Sequence, residues 1–219
     1  MKENSNYQKT LEWYENNAQN YSQKSNLNSS IDYQQLLEFS KLIPTNGIIL
    51  DAGCGSGRDT NLFQQQGFNI IGIDISKNLL VHAKKNYPKL DIQFGDILNL
   101  PFENNHFDGV WAHASVVHFD QDSQITKAIS EFSRVLKPKG LLHLLVRAQK
   151  NNFKTSVSVD SISNHERFYR NFSKDEIKKI LSETGFIIEN QLQYNESDLD
   201  PNKRPGEGIE WILTTAKKA

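Results

Sequence analysis

The chain has 219 residues, with 25 Lys and Arg against 26 Asp and Glu, a formal net charge of −1 and 37% hydrophobic residues. This length suits one α/β domain and would cramp two independent cores, and the near-neutral balance offers no basic footprint for wrapping a phosphate backbone, so nucleic acid is not the expected partner. The single cysteine, Cys54, excludes an intrachain disulfide and a thiolate metal site.

The polar N-terminus, MKENSNYQKTLEWYENN, lacks the apolar core of a signal peptide, and no later stretch reaches the ~18 consecutive apolar residues of a membrane span. A cytoplasmic protein with no membrane partner is expected. Mean hydropathy is −0.60, yet the apolar residues fall in short periodic blocks, which argues against wholesale disorder.

In chain order, the first 46 residues hold no strand pattern. They read as a frayed tail, an aromatic helix around Tyr7 to Tyr21 and a second helix around Asp32 to Leu42, stopped before Pro44. Trp13, Tyr14 and Tyr21 lie in this polar segment outside the sheet pattern, which suits a helical lid. From residue 47, β-branched apolar runs alternate with helical stretches, the pattern of a parallel sheet covered by helices. The runs are GIILDAG (47–53), FNIIGIDI (68–75), LDIQFGDI (90–97), FDGVWAHAS (107–115) and GLLHLLVRA (140–148), which predict five parallel strands.

Helices are predicted at Arg58 to Gln66, stopped by Gly67, and at Ser76 to Tyr87, with Ser76 as N-cap and Pro88 behind. A third runs from Asp122 to Leu136, ended by Pro138 and Gly140. The Ser- and Asn-rich stretch at 150–164 reads as a long loop, and long loops at a sheet edge are often functional. Ser173-Lys-Asp-Glu176 is a capping box that opens a helix ending near Gly185. The final runs, FIIENQLQY and EWILTTAKK, have only a loop between them and should pair as an antiparallel hairpin at a sheet edge. One domain over 1–219 is expected, with a lid at 1–46, a core at 47–148 and the hairpin in 149–219.

The segment Ile49 to Asp59, ILDAGCGSGRD, runs from a buried strand directly into a helix. Glycines at alternate positions let the backbone turn sharply and let a ligand approach the main chain without meeting a Cβ. The spacing is GxGxG, with Arg58 where a dinucleotide fingerprint has its third glycine, so a pyrophosphate cradle fits poorly. Asp51 at the strand tip would repel phosphates and favour a cationic ligand. Asp74 ends the next strand, 23 residues on, where a carboxylate can take both hydroxyls of an adenosine ribose. Asp96 ends the third strand, with the Ile97 amide beside it. Each acid could equally cap a turn, but three at successive strand ends beside a glycine loop point to a ligand.

These parts, ILDAGCGSGRDT, GIDIS, GDILNLPF, FDGVWAHASVVHF and RVLKPKGLLHLLV, over roughly 47–147, resemble a class I S-adenosylmethionine-dependent methyltransferase in order and spacing. FSKDEIKKILSETGF resembles the family's penultimate helix and strand, and WYENNAQNYSQ the lid of its small-molecule branch. The resemblance implies a Rossmann-like seven-stranded α/β sheet of order 3-2-1-4-5-7-6, last strand antiparallel, with helices on both faces and an N-terminal helical lid. It implies S-adenosylmethionine as cofactor and S-adenosylhomocysteine as product. Asp51, Gly53, Gly55 and Gly57 would surround the methionine part. Asp74, with Ile75, would hold the ribose, and Asp96 and Ile97 would flank adenine. Trp111, Ala112 and His113 would sit beside the transferable methyl, with Tyr21 reaching in from the lid.

A sulfonium methyl is already activated, so the protein's task is to align a nucleophile at about 3 Å and exclude water. A base matters only when the acceptor starts protonated, and His113 is then the natural candidate, with His118 the second. Tyr14, His118, Arg147, Arg167 and Tyr169 are the candidate substrate residues, and the arginines could receive an anionic acceptor. Arg58 opens a helix, where its charge opposes the helix dipole, so it could hold an acid of the pocket or lid. Cys54, inside the glycine turn, is read as packing. The histidines show no metal-binding spacing. The expected activity is methyl transfer to a small-molecule acceptor. The alternatives are a tRNA-nucleotide methyltransferase working with a partner and a non-catalytic S-adenosylmethionine-binding regulatory subunit.

Overall fold

The computed structural model describes residues 5–25, 30–159, 166–198 and 208–219. The chain opens with α1 (Asn6–Ser25) and α2 (Ser30–Ser40), and then alternates β1 (Ile48–Ala52), α3 (Arg58–Gln65), β2 (Asn69–Asp74), α4 (Lys77–Asn86) and β3 (Asp91–Phe94). Next come β4 (Phe107–His113), a single 3-10 turn at Val116–His118, α5 (Asp122–Val135) and β5 (Leu136–Ala148). The five predicted strands are present, all parallel, in the order β3-β2-β1-β4-β5. Their near-continuous apolar runs follow from burial on both faces. Ile49 packs with Leu36, Phe39 and Phe63 of α2 and α3 on one side, while Leu50 packs with Ile125 and Ile129 of α5 on the other.

The serine caps act as read, although the Glu176 carboxylate takes bonds from Arg170 and Gln149 where a capping box was expected. Ser76 Oγ accepts from the Leu79 amide at 3.2 Å, and Ser173 Oγ accepts from Glu176 at 3.1 Å at the start of α6 (Lys174–Glu183). After α6 come β8 (Phe186–Asn195) and β9 (Glu210–Lys218), and β9 pairs antiparallel with both β8 and β5. The main sheet is therefore β3-β2-β1-β4-β5-β9-β8, the expected order with the last strand antiparallel.

The expectation of seven strands is corrected to nine among the described residues. β6 (Thr155–Val159), within the stretch read as a loop, pairs antiparallel with β7 (Glu166–Phe172), for which no element was predicted. β7 joins β5 only at Arg147 and Ala148, so the pair continues the sheet past the end of β5. Its pattern is inverted: Val157 and Val159 are exposed, whereas Ser156 and Ser158 face inward. A strand whose polar residues point into the molecule does not look like one in a hydropathy pattern. Residues 160–165, within the stretch read as a loop, lie outside the described residues, as do 1–4 and 26–29 of the predicted lid.

α1 packs against α4 and β7 across the C-terminal ends of the parallel strands. Trp13 and Ala18 are buried beneath it. The Glu15 carboxylate accepts from the Lys77 and Asn78 amides at 2.6 and 3.2 Å, placing a negative charge on the positive end of α4. Asn86 donates to Ser22 Oγ at 3.0 Å at the other end. Among the described residues no helix is long and apolar enough to cross a membrane.

Candidate functional site

A cavity of about 520 Å³ lies at the C-terminal ends of the parallel strands. The glycine loop forms its inner wall, α1 its roof, and the outer wall comes from β5, β7 and the β8–β9 end of the sheet. This is where open α/β sheets bind ligands.

In the inner wall, the Gly53 and Cys54 amides both donate to the Ile73 carbonyl, at 2.8 and 2.9 Å, which ties the loop to β2. Gly53 has φ +87°, and a Cβ there would stand 2.5 Å from that of Ser115. At Gly55 a Cβ would meet nothing closer than the Tyr21 ring edge at 3.9 Å, so this position opens into the cavity. Cys54 is buried, and burial raises its thiol well above the ordinary value. It packs as expected and has no thiolate character.

Four carboxylates sit behind and beside this loop. Asp51 accepts from Thr60 Oγ1 at 2.6 Å, and burial, with the Asp59 carboxylate close by, pushes it up to about 7. Burial would also raise Asp59, but the Arg58 guanidinium, His113 and the bonds from Arg58 and Trp111 outweigh it and hold Asp59 below its ordinary value. Those bonds measure 2.7 Å from Arg58 Nε and 2.9 Å from Trp111 Nε1. Arg58 thus pairs with an acid of the pocket, the use its place at a helix start suggested. Asp74 accepts from the Gly55 and Ser76 amides, each at 2.8 Å, and burial raises it against those bonds. Asp96 takes the Leu98 amide at 2.8 Å.

His113 stands between the walls. Trp111 and His113 share one face of β4 and stack at 5.1 Å between centroids, and His143 of β5 stacks on Trp111 at 3.6 Å. His113 Nδ1 lies 3.4 Å from His143 Nε2. Beyond it, Ala114 holds a left-handed φ of +57°, and the buried Ser115 Oγ has no partner among the described residues. A strained non-glycine backbone of this kind clusters at functional sites.

The outer wall is cationic and aromatic. Arg167 Nη1 donates to the Tyr14 hydroxyl at 3.2 Å, and that hydroxyl lies 3.0 Å from His118 Nε2. His118 Nδ1 lies 3.2 Å from the Phe168 carbonyl, which can only accept. The proton of neutral His118 is therefore on Nδ1, and Tyr14 donates to Nε2. Burial lowers His118 to about 4, and burial raises the Tyr14 hydroxyl well above its ordinary value, so both stay neutral. Arg147 Nη1 donates to Ser158 Oγ at 3.0 Å, and its guanidinium lies 3.4 Å from the Tyr169 ring centroid.

The structure brings together on this one cavity every predicted site residue except Gly57, Trp111 and Ala112. Gly57 turns away, where a Cβ would meet Ala83 and Leu90 at 3.2 Å, and Ala112 is fully buried in the core. Trp111 is buried behind His113 instead of lining the space. His118 is committed to two bonds within the wall. The sequence reading missed Asp59, Ser115, Tyr7, Tyr194, Glu196 and Trp211 in the lining. Asp59 alone carried a local signal, an acid just after the GxGxG turn.

A family model described as methyltransferase domain matches residues 50–144. An O-methyltransferase of Pyrenophora dematioidea is 33% identical over 160 residues, which cover 68% of this chain and 58% of that protein. The chain thus spans less than three fifths of the length of this curated relative. Among solved structures, an S-adenosylmethionine-dependent methyltransferase of Methanosarcina mazei superposes with TM-score 0.73 at 20% identity, covering 82% of this chain and 96% of that one. A Burkholderia thailandensis 1,6-didemethyltoxoflavin-N1-methyltransferase, solved with 1,6-didemethyltoxoflavin and S-adenosylhomocysteine, gives 0.63 at 20% identity, covering 86% and 77%. Together with the strand order, the glycine loop and the acids at successive strand ends, these matches make the chain a member of the class I S-adenosylmethionine-dependent methyltransferase family.

Proposed function

We infer that this protein transfers a methyl group from S-adenosylmethionine to a small-molecule acceptor by direct in-line displacement. The observation that carries the reading is one cavity with the glycine loop and its acids on one side, His113 in the middle and a separate outer wall opposite. The residues fit the cofactor by their chemistry. Ribose hydroxyls and an ammonium are donors, and the inner wall offers Asp51, Asp74 and Asp96 as acceptors. The opening at Gly55 and the Ser115 Oγ, which has no partner among the described residues, leave both space and a polar atom for a ligand.

In this reading Asp51, Gly53 and Gly55 hold the methionine part, Asp74 and Ile75 the ribose, and Asp96 and Ile97 the adenine. Tyr21 closes over them from α1. Bound there, the cofactor supplies a methyl already activated by its sulfonium. The chain's own work is alignment and exclusion of water, for which α1 is latched over the cavity at Glu15 and Ser22. His113 is placed to take a proton from an amine or hydroxyl acceptor. The identity with an O-methyltransferase supports a small acceptor with an oxygen nucleophile.

The test is calorimetry with S-adenosylhomocysteine, followed by an acceptor screen that reads its production from S-adenosylmethionine. Micromolar binding with turnover on a small metabolite is expected. Tight binding with no turnover on any metabolite pool would make the protein a cofactor-binding subunit, and turnover only on tRNA would move the acceptor to nucleic acid.

A further inference from the structure

We propose that the outer wall is a receptor for an anionic group on the methyl acceptor, a carboxylate or phosphate held by Arg147 and Arg167. This rests on the methyl-transfer reading above and names the acceptor's chemistry. Among the described arginines, Arg58, Arg134 and Arg170 each pair with a carboxylate. Arg147 and Arg167 pair with none among the described residues, although both line the cavity. Glu196, whose charge acts on Arg147, accepts from Trp211 Nε1 at 2.8 Å.

The two guanidiniums flank one ring, 3.4 and 5.6 Å from the Tyr169 centroid. Arg167 also lies 4.3 Å from the Trp13 ring centroid. Aromatic faces fix the planes of the guanidiniums without neutralising them. Each arginine also has a buried Nε with no partner among the described residues, while one Nη1 is anchored, to Ser158 and to Tyr14 respectively. An arginine fork held in place with a spare donor is what binds a planar or tetrahedral oxyanion with two bonds.

Only 7% of Arg147 is exposed, and burial lowers its pKa from the ordinary arginine value. A buried cation without a counter-ion is costly, and a second beside it is costlier. His118, in the same wall, is kept neutral and adds no third charge. Glu196 acts on Arg147 without pairing with it, and an acceptor's anion would supply the paired counter-charge that no described carboxylate supplies there. Arg167, Tyr169 and Ser158 all belong to the β6–β7 pair, the element added to the seven-stranded plan, so the fold's addition and the receptor coincide.

The probe is a small-metabolite extract separated on an anion exchanger into a retained fraction and a flow-through, each supplied with methyl-labelled S-adenosylmethionine. Label is expected in acceptors from the retained fraction. Arg147→Gln and Arg167→Gln should each raise the acceptor concentration for half-maximal rate about 10- to 100-fold, while S-adenosylhomocysteine affinity stays within about threefold. Arg167→Lys, which keeps the charge but not the fork, should lie between. If Arg147→Gln lost the fold, seen as lost S-adenosylhomocysteine binding, Arg167→Gln and Arg167→Lys would decide. Label only in the flow-through, or retained-fraction transfer that ignores both arginines, would overturn the inference and leave methyl transfer standing. No label from either fraction despite cofactor binding would instead overturn the methyl-transfer reading, and this inference with it.

Discussion

The inner and outer walls of the cavity face each other across one space, yet they are held in opposite ways. In the inner wall the backbone does most of the positioning: the Gly53 and Cys54 amides lock onto Ile73, and Asp74 clamps Gly55 and Ser76. In the outer wall side chains hold side chains, as Arg167, Tyr14 and His118 bond in series and Arg147 lies on Tyr169. The inner wall is acidic and the outer wall cationic. A backbone-built site permits little variation in sequence, whereas a side-chain-built site can change its ligand by a few substitutions.

The largest effect should come from breaking the backbone wall. Gly53→Ala meets a left-handed φ of +87° and a Cβ 2.5 Å from Ser115. Gly67→Ala meets nearly the same φ, +88°, with nothing within 4 Å. Gly67→Ala should cost about 1 to 2 kcal/mol, the conformational term alone. Gly53→Ala should cost about 3 to 5 kcal/mol, because overpacking adds to it. Urea midpoints measure both, and equal losses would mean that the loop's close approach to Ser115 carries no energy.

Next in size, Asp74→Ala should weaken S-adenosylhomocysteine binding by about 30- to several-hundredfold, the loss of two charge-assisted hydrogen bonds, on the order of 2 to 4 kcal/mol. Calorimetry of unchanged affinity would remove Asp74 from the ribose. The pairing with Arg167→Gln sharpens the comparison, since that substitution belongs to the opposite wall and should move cofactor affinity little.

The contrast between the walls also explains what was legible in the sequence. Asp51, Gly53, Asp74 and Asp96 all lie within two residues of a strand's C-terminal end, because parallel strands deliver their last residues to the same edge. Ser76 and Ser173 signalled their helices because a cap acts within three residues. The five parallel strands followed from alternation and the antiparallel edge from a terminal hairpin, while the order of the main sheet came from the family resemblance. The β6–β7 pair did not, because Ser156 and Ser158 turn inward and Val157 and Val159 outward, for a reason that lies elsewhere in the chain: Ser158 serves Arg147, and Ser156 serves Asn171. Tyr194, Glu196 and Trp211 were hidden likewise, since they reach the cavity only when β8 and β9 fold back beside β5. Gly57 shows the converse, a motif residue whose left-handed φ of +82° serves the turn and its packing on Ala83 rather than the cavity.

A smaller effect appears in the pH dependence of stability, with opposite slopes for the two walls. Asp51 is raised in the fold from 3.8 to about 7, so between those values the native state holds a proton that the unfolded chain releases. Its contribution falls as pH rises from about 4 to 7. His118 is lowered from 6.5 to about 4, so there the unfolded chain takes the proton first. Its contribution is complete above 6.5 and is lost as pH falls toward 4. The two slopes oppose each other, each on the order of 1 to 3 kcal/mol. Relative to wild type, Asp51→Asn should make stability climb more steeply over this range, and His118→Gln should make it decline. Denaturation midpoints of the unliganded proteins at a series of pH values measure this, and changes of the same sign in both variants would refute the assignment.

The smallest effect tests whether the outer wall is one bonded unit or several separate contacts. Tyr14→Phe removes the hydroxyl that accepts from Arg167 and donates to His118 Nε2. It keeps the ring that packs against Tyr21 and His118. Two hydrogen bonds are lost inside a buried site, but the Arg167 donor can turn toward the cavity, so the cost at neutral pH should be about 1 kcal/mol. The informative change is in His118. Tyr14 bonds only the neutral imidazole, so its removal withdraws support from that form and the His118 pKa should rise toward its ordinary value. The stability lost on acidification below pH 6.5 should then be smaller in Tyr14→Phe than in wild type, although the variant is less stable at neutrality. Titration of the His118 ring signals by NMR in both proteins reads this directly. A His118 pKa that stays where it was would mean that burial alone keeps the ring neutral, and that Tyr14 serves Arg167 without coupling it to His118.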